Sequence, residues 1–330
     1  MNWRDEYPFE SHWLNIGGQR MHYVDVRCSM LDAREGQAGD HRPSTIDHRP
    51  LLFLHGNPTW SFLWRRLIRH FAGSHRCVAP DHIGCGLSDK PQDYPYTLAR
   101  HIDNACAFIE QLGLRDITMC VHDWGGPIGF GAAARMQERF SRFVVFNTAA
   151  FPSTRMPASI ALARLPGVGA LAIRGLNAFV RGALATCTAQ PLARQVRAGF
   201  LAPYRSWRTR VANLRFVQDI PADNGHPSWP TLLEVERGLG ALADKPMLLC
   251  WGGGDFVFTR EFLDEWLRRF PRAWERYFPQ AGHWVTEDAH EEIARAMEEF
   301  FNATASPVPG VVGNASDTGC GTRDVGLIQV

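Results

Sequence analysis

Apolar residues along the chain gather in short runs bounded by turn residues: RMHYVDV (20–26), LLFLH (51–55), RCVAP (76–80), ITMCVH (117–122), RFVVFN (142–147), MLLCWG (247–252) and AWERYF (273–278). Runs of this length, most of them apolar throughout, predict strands of a largely buried sheet. Between most of them lie stretches with helical periodicity, among them SFLWRRLIRHF, TLARHIDNACAFIEQLG and EFLDEWLRRF. Strand and helix therefore alternate, which predicts an α/β fold with a mostly parallel sheet and helices on both faces.

Two intervals break the even spacing. About 100 residues separate Asn147 from Met247, with helical and proline-rich sequence but no convincing strand. This predicts a helical cap inserted over the C-terminal edge of the sheet, where open α/β sheets bind ligands. The expected layout is a core of residues 1–150 and 241–302 with a cap of residues 151–240. Residues 30–50 are polar and read as an elongated surface loop, and 303–330 have the composition of a disordered tail.

With 330 residues, 45% of them hydrophobic, the chain is long enough for one large core. A formal net charge of +1 predicts no basic field for nucleic acid or anionic lipid and points to a small, apolar, uncharged substrate. Eight cysteines without a CxxC pair, several inside apolar runs, read as buried thiols of a reducing, cytoplasmic setting and not as a disulfide frame or zinc site. No metal or cofactor is expected. The N-terminal residues MNWRDEYPFE lack the apolar core of a signal peptide. The longest apolar stretch, residues 158–180, is interrupted by Arg164, Pro166 and Arg174, too broken to span a bilayer. It reads as a buried or pocket-lining helix pair, with a membrane-surface role as the weaker alternative.

The chemistry centres on VHDWGG, residues 121–126, where an apolar run, one sharp turn and a glycine-started helix frame Asp123. That context suits a nucleophile presented on a strained strand-to-helix turn. An aspartate there could also simply cap the following helix. Partners decide between these readings. A general base is expected after the last strand, where AGHW supplies His283, and an orienting acid after MLLCWG, where WGGGD supplies Asp255. The equivalent place after RFVVFN holds Asn147, which cannot carry charge. HGNP, directly after LLFLH, places the backbone N–H of Asn57 opposite that of Trp124, and the two side chains add an amide and an indole N–H that suit a leaving anion. Asn57 as a turn residue before Pro58, and Trp124 as a packing aromatic, are the plainer alternatives. His101 and His122 are expected to be surface or packing residues. A carboxylate is already ionised and attacks saturated carbon by displacement, so aspartate in place of serine favours that reaction over simple ester hydrolysis.

At these residues the chain resembles the haloalkane dehalogenases of the α/β-hydrolase superfamily. YPF near the start, HGNPTWSFLWR, PDHIGCGLSDKP, HDWGGPIGFG, WGGGD and AGHW carry the resemblance over most of residues 5–300. It implies an eight-stranded sheet, Asp123 as nucleophile, His283 as base, Asp255 as triad acid, and Asn57 with Trp124 as the halide-holding pair. NTAAFPSTRMP (147–157), RFVQDIP (215–221) and WGGGDFVF (251–258) are in turn similar to the bacterial β-lactone decarboxylases of long-chain olefin biosynthesis. Those convert cis-3,4-dialkyl-β-lactones into alkene and carbon dioxide, so the anion at Asn57 and Trp124 would be a carboxylate. Haloalkane hydrolysis remains the alternative, and a ligand-binding protein on an inactive hydrolase fold the remote one. Attack by Asp123 on the ring carbon or on the acyl carbon stays open, as does assembly into a homo-oligomer or with other pathway enzymes. Leu162, Leu165, Leu171, Ile173 and Phe179 of the cap would suit alkyl chains, or simply pack the cap.

Overall fold

A computed structural model describes residues 2–27 and 49–305. The expected surface loop and C-terminal tail lie almost wholly outside the described residues. Eight strands form one sheet: β1 (His12–Ile16), β2 (Gln19–Val26), β3 (Leu51–Leu54), β4 (Cys77–Pro80), β5 (Ile117–His122), β6 (Phe140–Phe146), β7 (Met247–Gly252) and β8 (Trp274–Phe278). Their order is β1-β2-β4-β3-β5-β6-β7-β8, with β2 antiparallel to both of its neighbours and every other pair parallel.

The hydrophobic pattern explains why the central strands read as unbroken apolar runs. Along β3, Leu52 and Leu54 join the core on one face, while Leu51 and Phe53 join the core on the other. The same alternation puts Met119 and Val121 of β5 opposite Cys120, as the period-two geometry of a strand requires. On the first face pack α2 (Leu98–Gln111), α3 (Gly125–Arg135) and α9 (Arg260–Arg269); on the second, α1 (Arg65–Phe71) and α11 (His290–Ala303). Strand β1 is absent from the sequence-based expectation. It is a five-residue edge strand with only Ile16 fully buried, so its sequence HWLNI never accumulates an apolar run. Helix α3 ends at Arg135, and residues Gln137–Arg139 form a 3-10 turn.

The long connection from β6 to β7 holds α4 (Ala158–Arg164), a π-helical turn (Ala170–Gly175), α5 (Ala178–Thr186), α6 (Arg194–Leu201), α7 (Val211–Gln218) and α8 (Trp229–Leu239). It contains no strand. Ile173, Leu214 and Val217 form a small separate cluster there, backed by Ile160, Ala163 and Phe179. Helix α8 returns to the sheet, burying Leu232, Val235 and Leu239 in the main core. Among the described residues no helix is long and apolar enough to cross a membrane.

Candidate active site

The turn between β5 and α3 holds Asp123 at φ +50°, in the left-handed region. That conformation is costly for most side chains and least so for Asn, Asp and Gly. Surrounding bonds over-determine it: Asp123 N–H donates to the Asn147 carbonyl at 3.2 Å, and its own carbonyl accepts from Gly126 N–H at 2.9 Å and from the Thr148 hydroxyl. Two glycines give the turn room. A methyl on Gly56 would overlap the Asp123 carboxylate, and one on Gly125 would strike the backbone carbonyl of Leu54.

The two carboxylate oxygens have different surroundings. Oδ1 accepts the backbone N–H of Asn57 at 2.6 Å. Oδ2 faces His283 Nε2 at 3.8 Å. Burial pushes the Asp123 carboxyl above the ordinary aspartate value, against the pull of the His283 charge and of the Trp124 and Asn57 backbone amides.

His283 follows β8, and its Nδ1 meets Asp255 Oδ2 at 2.7 Å. Burial alone would lower this imidazole, but the charge and hydrogen bond of Asp255, with Asp123 beyond, raise it above the usual histidine value. Asp255, after β7, is fixed by two further donors: the Asn147 amide to Oδ2 at 2.9 Å and the Val257 N–H to Oδ1 at 2.6 Å. The structure thus brings Asp123, His283 and Asp255 together from three strand ends.

Asn57 and Trp124 both border the same space as Asp123 and His283. The Asn57 side-chain amide donates one hydrogen to the Asn213 carbonyl at 3.1 Å, and its second hydrogen remains available. Trp124 packs its ring against Phe216 at 5.1 Å. These groups line a cavity of about 590 Å³, whose remaining walls are mostly apolar and include Ile160, Leu162, Ile173, Phe179 and Phe258. A volume of this size is ordinary for a small-molecule site. Of the five cap residues expected there, Leu162, Ile173 and Phe179 line the cavity, whereas Leu165 and Leu171 do not border it and are exposed to solvent.

Four supporting residues escaped the sequence reading. Asn147, noted only as lacking charge, donates to Asp255 and exchanges hydrogen bonds with the Gly252 backbone. Asn213 orients the Asn57 amide from α7, 156 residues away in the chain. His122, expected on the surface or in packing, is buried and packs; its Nε2 meets the His283 carbonyl at 2.8 Å and its ring lies 4.5 Å from that of His283. Phe258 also stacks on His283, at 5.7 Å. A signal existed only for Asn147, whose place at a strand end was visible. His101 is likewise buried, stacked on Phe216, and does not border the cavity.

The alpha/beta hydrolase fold family matches residues 49–289. Two cis-3-alkyl-4-alkyloxetan-2-one decarboxylases are similar to the chain. That of Shewanella oneidensis is 38% identical, covering 90% of this chain and 90% of its own. That of Xanthomonas campestris is 39% identical, covering 82% of this chain and 94% of its own. Haloalkane dehalogenase 2 of Mycobacterium bovis is 33% identical over 89% of this chain and 96% of its own. The crystal structure of a haloalkane dehalogenase from Bradyrhizobium elkani superposes with a TM-score of 0.77 at 26% identity, covering 90% of this chain and 98% of that one. The strand order, the turn at Asp123 and these likenesses agree: the chain belongs to the alpha/beta hydrolase fold family, in the branch shared by the cis-3-alkyl-4-alkyloxetan-2-one decarboxylases and the haloalkane dehalogenases.

Proposed function

We propose that the protein is an Asp-nucleophile enzyme that converts cis-3-alkyl-4-alkyloxetan-2-ones, β-lactones with two alkyl arms, into an alkene and carbon dioxide. The observation that carries this reading is the unequal hold on Asp123: Oδ1 is tied to the Asn57 backbone, and Oδ2 stands beside His283 at the apolar cavity. A carboxylate held by one oxygen attacks with the other, and being ionised it needs no base. The greater likeness to the two decarboxylases, 38% and 39% against 33% for the dehalogenase, favours the lactone over a halide.

In this mechanism Asp123 Oδ2 attacks the ring carbon that bears the ring oxygen, and the carbon–oxygen ring bond breaks. The freed carboxylate is taken by the Asn57 amide and the Trp124 indole, neutral donors that suit a weakly basic anion. The bond from the neighbouring carbon to that carboxylate then breaks, its electrons form the double bond, and the Asp123 carboxylate leaves unchanged. Carbon dioxide departs and no water is consumed. Attack with inversion followed by anti elimination turns a cis lactone into a cis alkene. His283, oriented by Asp255, steadies the charge that returns to Asp123. The described residues of 1–150 and 241–302 serve as the core that fixes the reacting groups, and residues 151–240 as the cap that supplies most of the apolar wall. Buried thiols such as Cys85, Cys120 and Cys250 fit a reducing, cytoplasmic setting.

Haloalkane hydrolysis is the second reading, favoured by the Asn57 and Trp124 pair and by the solved dehalogenase structures. There Asp123 would form an alkyl ester and release halide, and His283 would activate water to cleave it. Purified protein offered a cis-3,4-dialkyl-oxetan-2-one and 1-bromobutane in parallel should release alkene from the lactone. Halide from the bromoalkane with no alkene from the lactone would reverse the assignment.

A further inference from the structure

Charge is distributed along the chain in a way that the net value of +1 conceals. Residues 151–218 hold ten arginines and no aspartate or glutamate, which leaves 25 of the 35 basic residues to face all 34 acidic ones elsewhere. Among the described residues, Arg155 alone of the ten forms an ion pair, with Glu261. Arg181, Arg205, Arg208 and Arg215 are exposed. A net charge of +1 leaves room for a local basic field, because a field is felt over about 10 Å and follows local charge, not the sum over the chain.

The same segment carries six of the ten large exposed hydrophobics among the described residues: Leu162, Leu165, Val168, Leu171, Leu176 and Trp207. Leu171 and Leu176 are 64% and 67% exposed, unusual for leucine. They form one face. A methyl placed on Gly175 would lie 3.3 Å from Leu171 and 3.8 Å from Trp207, and Leu176 N–H donates to the Leu171 carbonyl. The Arg174 guanidinium lies 4.7 Å over the Trp207 ring. Leu162 and Val168 are at once exposed on this surface and part of the cavity wall, so the apolar face runs into the site.

We propose that this face docks on a bilayer carrying anionic headgroups. The leucines and Trp207 enter the boundary between headgroups and acyl chains, and the arginines pair with lipid phosphates. A second copy of the chain would bring nine arginines without acidic partners against nine, which disfavours it as the occupant. The face delivers an apolar substrate from the acyl layer past Leu162 and Val168 into the cavity; this delivery rests on the proposed β-lactone reading, while the docking does not.

Flotation of the full-length protein with vesicles tests the docking. Partition onto vesicles of equal phosphatidylglycerol and phosphatidylcholine should exceed that onto pure phosphatidylcholine by about tenfold or more. Leu171→Ser with Leu176→Ser, and separately Arg205→Gln with Arg208→Gln, should each weaken it by about tenfold or more. Neither pair borders the cavity, so melting temperature and turnover of a short water-dispersed substrate should stay at the wild-type level and report an intact fold. Equal and weak partition onto both vesicles, or double variants that bind like the wild type, would overturn the proposal. So would a dimer in light scattering that dissociates in the leucine variant, since the face would then be covered by a second copy. Vesicle binding without alkene formation breaks the β-lactone reading alone, and alkene formation without vesicle binding breaks the docking alone.

Discussion

The frame around the sheet and the connection between β6 and β7 hold themselves together in opposite ways. In the frame, several charges are buried and paired. Arg65 and Glu287, both without exposed side-chain surface, form a two-point ion pair between α1 and the short helix α10 (Val285–Asp288). Burial would raise the Asp81 carboxyl, but His22, His55 and the Leu87 N–H bring it down to about 2. In the connection, ten of eleven arginines have no acidic partner among the described residues, its separate cluster has three buried side chains, and leucines stand in solvent. Reacting groups need fixed geometry, which only a closed network of bonds supplies. Substrate walls and docking surfaces need only shape and polarity, so a loosely tied segment can serve.

Replacing the nucleophile separates chemistry from stability most sharply. Asp123→Asn keeps a residue that tolerates φ +50° and should lower turnover by about ten-thousandfold. Because burial raises the Asp123 pKa, the ionised group costs stability once pH rises through its folded value. The variant should therefore melt at or above the wild-type temperature near neutral pH, and a clear drop would count against a strained, desolvated carboxylate.

Next in size is the buried pair. Arg65→Met strands the Glu287 carboxylate in the core and should remove about 3–5 kcal/mol in a denaturant melt. Arg181→Gln in the connection should change stability by no more than about 0.5 kcal/mol. Similar losses for the two would erase the contrast between the regions.

His283→Ala distinguishes the two reactions. With a bromoalkane it should stall as an alkyl ester visible by intact mass, whereas alkene release from a lactone should fall by only about tenfold, since no water is activated. Trapping an ester from the lactone with no alkene would require a hydrolytic step. The pH profiles should part in the same sense. Alkene formation should decline as pH falls through the raised Asp123 value, and halide hydrolysis should already decline below the raised His283 value, where the base is protonated. Coincident acid limbs would remove that distinction.

The smallest effect is expected in the connection. Phe179→Ala enlarges the cavity without touching the reacting groups, so it should shift the preferred alkyl length by about tenfold in relative kcat/KM. An unchanged preference would show that the connection does not set specificity.

Most of the fold was legible because buried parallel strands must be apolar on both faces, which marks β3, β5, β6 and β7 without ambiguity. Strand β1, half-exposed at the sheet edge, left no such mark. Asp123, Asp255 and His283 were locatable because each follows a strand at a turn, and strand ends can be read from local sequence. Asn213 and His122 could not be, since their parts depend on neighbours supplied by distant segments.

By itself, then, the sequence determined the alternation of strand and helix, the place of the long connection and the residue types at each strand end, all local consequences of hydrophobic period and turn chemistry. Packing alone settled which Asp123 oxygen is tied to Asn57 and which faces His283, that Asn147 holds Asp255 in place, and that six apolar side chains of the arginine-rich segment stand exposed while others of it line the cavity. Distances between groups far apart in the chain are fixed by packing, and no property of the residues taken one stretch at a time encodes them.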